Sequence, residues 1–327
     1  MDDFYGEIEE IPFNLCGVID KRWVIVAPFD DPIEREFSLF HIFDKVCPNQ
    51  STYLLVPRAD VTRNRSDCAV HRTIRVLEAV EGRSVHFPKL IMSGTISRLV
   101  FGHSGDQQLE RDPEWPDRPV AIVKYEGNLL STLISVSDYG GVPVEVALAV
   151  GIGCVRALAA LHRAGFVHRL VSPFSFCYAT PISELSLRNR MVIVDLSLAM
   201  QWPTKPRVFV PFVGTMRYSS LRVHQGREAG PSDDIISVVY MVAELISGRL
   251  PWRSVFTMSK VRELKANFHT SNEFRRLPRE IRSVYRSMML TVGPSPVEHV
   301  EIVRQFEKAL RRKDPDGSFK IPHYLDV

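Results

Sequence analysis

The chain has 327 residues, a length that allows one large domain or two small ones. Apolar residues make up 45% and charged residues 24%, which is typical of a globular protein and excludes disorder for most of the chain. The formal net charge is only +3, from 41 basic and 38 acidic residues. This composition gives no support for nucleic-acid binding or for a polybasic membrane contact.

The cysteines and the first residues indicate a reduced, intracellular environment. The five cysteines are an odd number without C-x-x-C spacing, which argues against a disulfide framework and against a zinc site. The first residues are acidic and lack the basic and then apolar order of a signal peptide. The longest apolar run, 146–155, is about half of what a membrane span needs. We predict a cytoplasmic protein, with nuclear residence left open.

Strand patterns dominate the first part of the chain. Residues 1–20 are predicted to be an acidic arm. A helix is predicted behind a possible cap at Ser66–Asp67, because Val70, Ile74 and Leu77 recur at helical spacing. The predicted strands are 23–26, 37–43, 53–56, 97–101 and 120–124.

Helical patterns follow residue 127. The segment 146–161 is apolar almost all round, which predicts a buried helix. Two short strands are predicted at 176–179 and 191–194, before a proline-rich loop at 201–211. Four further helices are predicted at 234–247, 259–268, 278–290 and 296–311. A strand-rich front joined to a helical back suggests two lobes around a cleft.

Five ordered segments in the second half of the chain carry a family resemblance. The segment 161–169 resembles the approach to the H-R-D-x-x-x-x-N catalytic loop of protein kinases, and 192–199 resembles their D-F-G-L-A segment. The segments 214–220, 233–237 and 250–252 are similar to G-T-x-R-Y-A-S, D-D-L-x-S and L-P-W of the casein kinase 1 superfamily. Each motif alone is weak, but five in this order are specific.

The tau-tubulin kinase branch of that superfamily is the most similar, and the resemblance covers roughly residues 21–312. It implies an α+β, bilobal protein-kinase-like fold. A small, β-rich N-lobe would occupy 21–126 and a larger, helical C-lobe 127–315, followed by a tail at 316–327.

The segment that resembles the catalytic loop has lost its chemistry. It has Leu170 where kinases have the aspartate that accepts the substrate proton, and a leucine cannot accept a proton. Ser172 replaces the lysine, and Ser175 replaces the asparagine that holds the second magnesium ion. No competent catalytic residue is therefore expected in this loop.

The nucleotide site is degraded as well. No glycine occurs between residues 18 and 81, so the phosphate-binding glycine loop is lost. Val56 is expected where kinases have the strand lysine, and none of residues 71–73 supplies the partner glutamate. Lys45 is the remaining candidate for a displaced lysine. The loop region instead carries four carboxylates, which are expected to be solvated or to repel phosphate: Asp30, Asp31, Glu34 and Glu36.

Several family positions are retained. Asp195 matches the magnesium-binding aspartate, although a hydrogen bond to nearby backbone is the simpler interpretation. The resemblance implies a hinge at Lys124, Tyr125 and Glu126, where weak ATP binding stays open. It also implies structural roles for a further set of residues: His168, Arg169, Asp234 and Trp252.

An anion site is the one retained feature that could carry function. The resemblance implies that Arg217, with Lys265 and Arg262, forms a pocket for acidic or phosphorylated segments. The alternative is that Arg217 holds the activation segment and that the other two lie on a solvated helix face.

The sequence therefore predicts a casein kinase 1-like pseudokinase that acts as a protein-interaction, scaffold or regulatory module. The alternative is an unorthodox serine/threonine kinase that uses Asp195 with ATP and magnesium. No cofactor is expected, with residual ATP and magnesium binding left open. Protein partners, acidic or phosphorylated, are expected, and neither nucleic acid nor a membrane.

Overall fold

The fold is described from a computed structural model. The described residues are 18–19, 22–28, 36–58, 61–62, 64–95, 101–102, 115, 117–137, 140–205, 207, 209–291, 295–317 and 319–325. The predicted acidic arm at 1–20 lies outside them except for 18–19, as do Asp30, Asp31 and Glu34.

A seven-stranded antiparallel sheet forms from the first part of the described chain, in the order β5-β7-β4-β3-β2-β1-β6. Strand β4 is central and buried on both faces, which fits its run of apolar residues. The strands are β1 Val18–Ile19, β2 Trp23–Pro28, β3 Phe37–Asp44, β4 Thr52–Pro57, β5 Lys89–Thr95, β6 Phe101–Gly102 and β7 Pro119–Lys124.

The two faces of this sheet belong to different hydrophobic clusters. Tyr53 and Leu55 of β4 pack in the main core together with helix α1, Ala69–Val80. Leu54 and Val56 point to the opposite face and pack in a second cluster. This division follows from the alternation of side chains along a strand.

Two predictions for this region were wrong. Ser66–Asp67 does not cap α1, because the helix begins at Ala69 and the residue before it, Cys68, makes no capping bond. Strand β5 was missed, since it is half exposed along most of its length and has little alternation. Most of the predicted strand 97–101 lies outside the described residues.

Helices form most of the rest of the described chain: α2 Ser131–Ser137, α3 Val144–Arg163, α4 Glu184–Asn189, α5 Leu221–His224, α6 Pro231–Ser247, α7 Met258–Ala266, α8 Asn272–Arg276, α9 Arg279–Leu290 and α10 His299–Lys313. The short strands among them are β8 Asn128–Leu129, β9 Phe166–Val167, β10 Phe176–Tyr178, β11 Val192–Ile193 and β12 Met200–Gln201. The five predicted helices after residue 127 are confirmed as α3, α6, α7, α9 and α10, within three residues at each end. The division into lobes at residue 126 stays a prediction.

Helix α3 is the axis of the helical part. It packs against α4, α6 and α10. It is long and apolar enough to cross a membrane, yet 83% of its apolar window is buried inside the protein, as in the core helix of a soluble protein. Two glycines allow its neighbours to approach closely: a Cβ on Gly153 would lie 1.9 Å from Leu187 O, and one on Gly151 would lie 2.3 Å from the Phe306 ring.

We expect Gly153→Ala to destabilise the protein by about 2 kcal/mol or more, because the new methyl group meets the backbone of α4. Urea unfolding would measure the loss. Gly94→Ala is the matched control, since open space surrounds Gly94, and it should stay within about 0.5 kcal/mol of the wild type. Equal stability of the two variants would contradict the close packing of α3 on α4.

Candidate functional site

Asp234 organises the loop that resembles the kinase catalytic loop. This fully buried carboxylate lies in the first turn of α6 and accepts hydrogen bonds from the backbone N–H groups of His168, at 2.8 Å, and Arg169, at 3.0 Å. Arg169 is held with a φ of +66°, in the left-handed region, and its side chain donates to Met200 Sδ. One side chain of α6 thus fixes the start of the loop.

Asp234 also begins a chain of buried rings. His162 Nε2 of α3 donates to Asp234 Oδ2 at 2.9 Å, and His162 Nδ1 lies 2.7 Å from Nε2 of His299 in α10. Burial is the largest single influence and would raise the pKa of Asp234, but the hydrogen bonds and charges of His162 and His168 together lower it. Burial and the neighbouring His162 lower the pKa of His299 to about 4. The cluster therefore joins α3, α6 and α10 around a single carboxylate.

The catalytic positions of this loop bond to one another. Ser175 Oγ donates to Leu170 O at 2.6 Å and lies 3.1 Å from Ser172 Oγ. Both serines are buried, so their hydroxyl groups face the loop itself. The backbone N–H of Leu170 donates to His168 Nδ1 at 3.1 Å, and the Leu170 side chain offers no acceptor for a proton.

Asp195 lies buried after β11, where its Oδ1 accepts the backbone N–H of Ser197 at 3.0 Å. This is the local backbone contact that the simpler interpretation of Asp195 predicts. Among the described residues, no group of three histidine, cysteine or carboxylate side chains could hold a metal ion.

Arg72 occupies the part of α1 where kinases have the partner glutamate. Its Nε donates to Ser197 O, and its NH2 group lies 2.7 Å from Glu36 Oε2, just before β3. Its NH1 donates to Asp67 O. The guanidinium joins α1, the loop before β3 and the segment after Asp195. Glu36 is therefore an ion-pair partner, and the expectation that it is merely solvated or faces phosphate was wrong.

The position of Val56 differs from the prediction. The lysine of kinases pairs with a glutamate of the helix that packs on the sheet, so it needs the face that α1 covers. Val56 lies on the opposite face, in the second cluster, and Leu55 lies on the face towards α1. The sequence alignment was wrong by one residue, and one residue reverses the face of a strand. Both positions are apolar.

An aromatic pair lies where the resemblance places the adenine pocket. The Tyr53 ring of β4 stacks on the Tyr125 ring of the hinge, with centroids 4.4 Å apart and planes 16° apart. Burial, and to a lesser degree the Cys177 thiol, raise the pKa of Tyr53. Of the other two hinge residues, Lys124 ends β7 and Glu126 is exposed. The Tyr53 ring therefore packs between the sheet and the hinge.

Trp252 and Arg217 belong to one buried network. Trp252 Nε1 donates to Arg217 O at 2.7 Å. The fully buried Glu244 accepts the Tyr218 hydroxyl, and its Oε1 lies 3.7 Å from Arg217 NH1. Arg253 NH1 lies 3.9 Å from the same oxygen. Arg217 is therefore already paired with a buried carboxylate.

The three residues of the predicted anion pocket do not form an open site. Lys265 is fully buried, and its Nζ donates to the carbonyl oxygens of Met216, at 2.7 Å, and Ser219. Burial lowers the pKa of Lys265 well below its usual value. Arg262, on the same helix, is exposed. Lys265 thus holds the segment 216–219 in place, and the prediction that it faces an anion was wrong.

Sequence reasoning missed three residues of this site. Arg72 was considered only as a position that lacks the partner glutamate, and Tyr53 only as part of a predicted strand; their bulky side chains were the signal that could have pointed to the contacts they make. His299 lies more than a hundred residues from its partner His162, and a single histidine at a helix start gives no signal of that contact.

Comparisons with known proteins find protein kinases. A protein named as a probable serine/threonine-protein kinase from Dictyostelium discoideum is 29% identical over 163 residues, which cover 48% of this chain and 32% of that protein. A Caenorhabditis elegans protein named as a casein kinase I is 29% identical over 167 residues, 48% of each chain. A casein kinase 1-like protein from Oryza sativa subsp. japonica is 30% identical over 158 residues, 41% of this chain and 22% of that one. No model of a known protein family matches the chain.

The match thus spans less than half the length of these relatives. Their names support a protein kinase-like family for this chain. The mixture of helices with an antiparallel sheet fits an α+β kinase-like fold.

We expect Arg72→Ala to destabilise the protein by about 2 kcal/mol, because it leaves Ser197 O and Glu36 without their partner. Arg75→Ala, on the same helix, is the matched control: Arg75 is exposed and, within the part of the chain that the structure describes, pairs with Asp67, so about 0.5 kcal/mol or less is expected. Urea unfolding measures both, and equal losses would contradict the role of Arg72.

Acidification should destabilise the protein through its buried histidines. The pKa of His299 and of His224 is about 4 in the folded chain, against 6.5 for an exposed histidine. The unfolded chain therefore binds more protons below pH 6.5, and the free energy of unfolding falls as the pH drops from 6.5 towards 4. Each of these histidines should remove about 2 kcal/mol by pH 5.

Urea unfolding at pH 7, 6 and 5 measures this slope. His299→Gln should flatten it, whereas His269→Gln, at an exposed position, should leave it unchanged. A slope that is the same in His299→Gln and in the wild type would refute the assignment.

Proposed function

We propose that the chain is a kinase-like protein that does not transfer phosphate, a pseudokinase, and that it acts by binding other proteins. The observation that carries the proposal is the loop 168–175, where Leu170 offers no proton acceptor and the Ser172 and Ser175 hydroxyl groups bond within the loop. Phosphoryl transfer depends on positioning and on charge neutralisation, and this loop supplies neither.

The cleft supports the same proposal. ATP with magnesium would need space for adenine beside the hinge, a cation on the strand and metal ligands near Asp195. The Tyr53–Tyr125 stack lies in the space that adenine would need. The side chains on both faces of β4 are apolar, so this strand does not supply the cation. The Arg72 guanidinium donates hydrogen bonds to a backbone carbonyl and to carboxyl groups of the protein. The residues present do not fit the nucleotide, and we derive no step through it.

The alternative function is an unorthodox serine/threonine kinase. It is favoured by the retained Asp195 and by relatives that are named as kinases. Lys45, the candidate displaced lysine, lies exposed beyond the end of β3. We favour the pseudokinase because the alternative still lacks a group that accepts the substrate proton.

The proposed partner is an acidic or phosphorylated segment of another protein, and the proposed compartment is the cytoplasm. The retained architecture supports a binding role, since the buried contacts of Asp234, Trp252 and Lys265 keep the helical part rigid without serving chemistry. A rigid surface loses little entropy when a partner binds.

The test is a thermal-shift titration with ATP, with and without magnesium. A site with a Kd of about 50 µM would stabilise the fold by about 2.7 kcal/mol at a hundredfold excess of ATP. We expect no shift for the wild type and no phosphate transfer to an acidic protein substrate. A magnesium-dependent shift that Asp195→Ala abolishes would favour the kinase.

Tyr53→Ala sharpens the test. Removal of the phenol ring should open a space for an adenine-sized group, so adenosine should stabilise this variant and not the wild type. His41→Ala is the matched control, because the exposed His41 ring contacts Tyr53 only edge-on, at 5.6 Å, and leaves the stack intact. A shift of the wild type with adenosine would show that the cleft is open.

A further inference from the structure

Arginines concentrate on one surface of the helical part. Five of them occur within twelve residues of α8 and α9, and a sixth lies near the end of α10. We call this set the arginine patch: Arg275, Arg276, Arg279, Arg282, Arg286 and Arg312.

Two contacts join the three helices of the patch. The Arg286 guanidinium of α9 lies over the Phe274 ring of α8, 5.6 Å from its centroid. Glu280 of α9 lies 3.1 Å from Arg279 Nε and 3.0 Å from Arg312 NH2 of α10. The carboxylate of Glu280 is almost fully buried, so it holds two arginines side by side while their remaining N–H groups face solvent.

Most of the patch has no carboxylate of its own. Among the described residues, Arg275, Arg276 and Arg282 have no ion-pair partner, and the buried Nε of Arg282 has no hydrogen-bond partner. A structural role would be expected to pair these groups, as it does for Arg72 and Arg156 elsewhere in the protein.

The patch holds the excess charge of the chain. Residues 272–290 carry five arginines and two glutamates, Glu273 and Glu280, and Arg312 brings the charge of the set to +4. The whole chain carries +3, so everything outside the patch carries −1. The positive electrostatic field is therefore confined to the patch, and the segment of a partner that binds there must be short.

The dimensions and the edge of the patch favour a protein segment. Arg279, Arg282 and Arg286 lie three and four residues apart on α9 and span about 10 Å, which matches about two turns of a partner helix. Leu290, at the end of α9, is 85% exposed and offers an apolar contact beside the charges. A nucleic acid would need a longer basic track and exposed rings for stacking, and the rings of α8 and α9, Phe274 and Tyr285, are buried.

We propose that the arginine patch, bordered by Leu290, binds a short acidic segment of a partner protein. Guanidinium groups donate pairs of parallel hydrogen bonds to carboxylates, and the spacing of the arginines on α9 places one per turn. This inference rests on the proposed function, because it assigns a surface to the protein binding proposed there. It replaces the predicted pocket at Arg217 and Lys265.

Fluorescence anisotropy with a labelled peptide of six glutamates and a terminal leucine tests the proposal. We expect saturable binding that weakens as salt is raised, and a loss of about tenfold or more in Arg275→Glu/Arg276→Glu. Lys89→Glu/Arg190→Glu changes the net charge equally at exposed positions elsewhere, and it should bind within about twofold of the wild type. Circular dichroism melting would confirm that each variant is folded.

Ser283→Glu provides a second variant that keeps every arginine. Ser283 is exposed on α9, four residues after Arg279 and three before Arg286, so the new carboxylate competes for both guanidinium groups and favours the helix. It should weaken peptide binding as well.

Three results would overturn the inference: no binding to the wild type, equal binding by the patch variants, or tighter binding of single-stranded DNA or phosphatidylserine vesicles than of the peptide. The pseudokinase proposal is judged separately by the ATP titration, because the patch substitutions lie on α8 and α9, whereas Tyr53 is on β4 and Asp195 follows β11.

Discussion

The structure depends on the carboxylate of Asp234. It is fully buried, and three donors from two segments converge on it: two backbone N–H groups of the loop 168–175 and the ring of His162. A buried charge is tolerated only when it is hydrogen-bonded in this way. Through His162 and His299, the same carboxylate joins α10 to α3. The start of the loop that resembles the kinase catalytic loop is thus fixed by the carboxylate of Asp234.

The residues that match the kinase motifs and those that depart from them lie in different parts of the structure. The contacts around Asp234, Trp252 and Lys265 lie in the helical part. The changes concentrate between the sheet and that part, where Arg72 binds backbone and Tyr53 stacks on Tyr125. The basic side chains also fall into two groups. Lys265 and Arg217 are drawn into internal contacts, whereas the arginine patch keeps its N–H groups towards solvent.

The sequence was sufficient where a local pattern determines structure. Helices α3 and α6 could be located because apolar residues run almost without interruption through them, and α9 and α10 because one face of each is apolar. The motif alone shows that a leucine stands at position 170. Asp195 accepts a backbone N–H, as the simpler interpretation expects, and its role stays a prediction.

The rest depends on contacts between distant residues. A shift of one residue placed Val56 on the wrong face of β4, and no pattern on a strand that is buried on both faces reveals such a shift. Lys265 was expected at the surface because lysines are rarely fully buried, and its carbonyl partners lie 46 and 49 residues away. The ion pair between Arg72 and Glu36 was missed for the same reason, since these residues are 36 positions apart.

The stack of Tyr53 on Tyr125 has a pharmacological consequence. Compounds that inhibit kinases by competing with ATP bind beside the hinge, the region where Tyr53 stacks on Tyr125 in this protein. Under the proposed function such compounds would not bind the cleft, and a change in the behaviour of the protein after treatment would arise through other kinases. A chemical probe would then have to target a surface rather than the cleft, or remove the protein altogether.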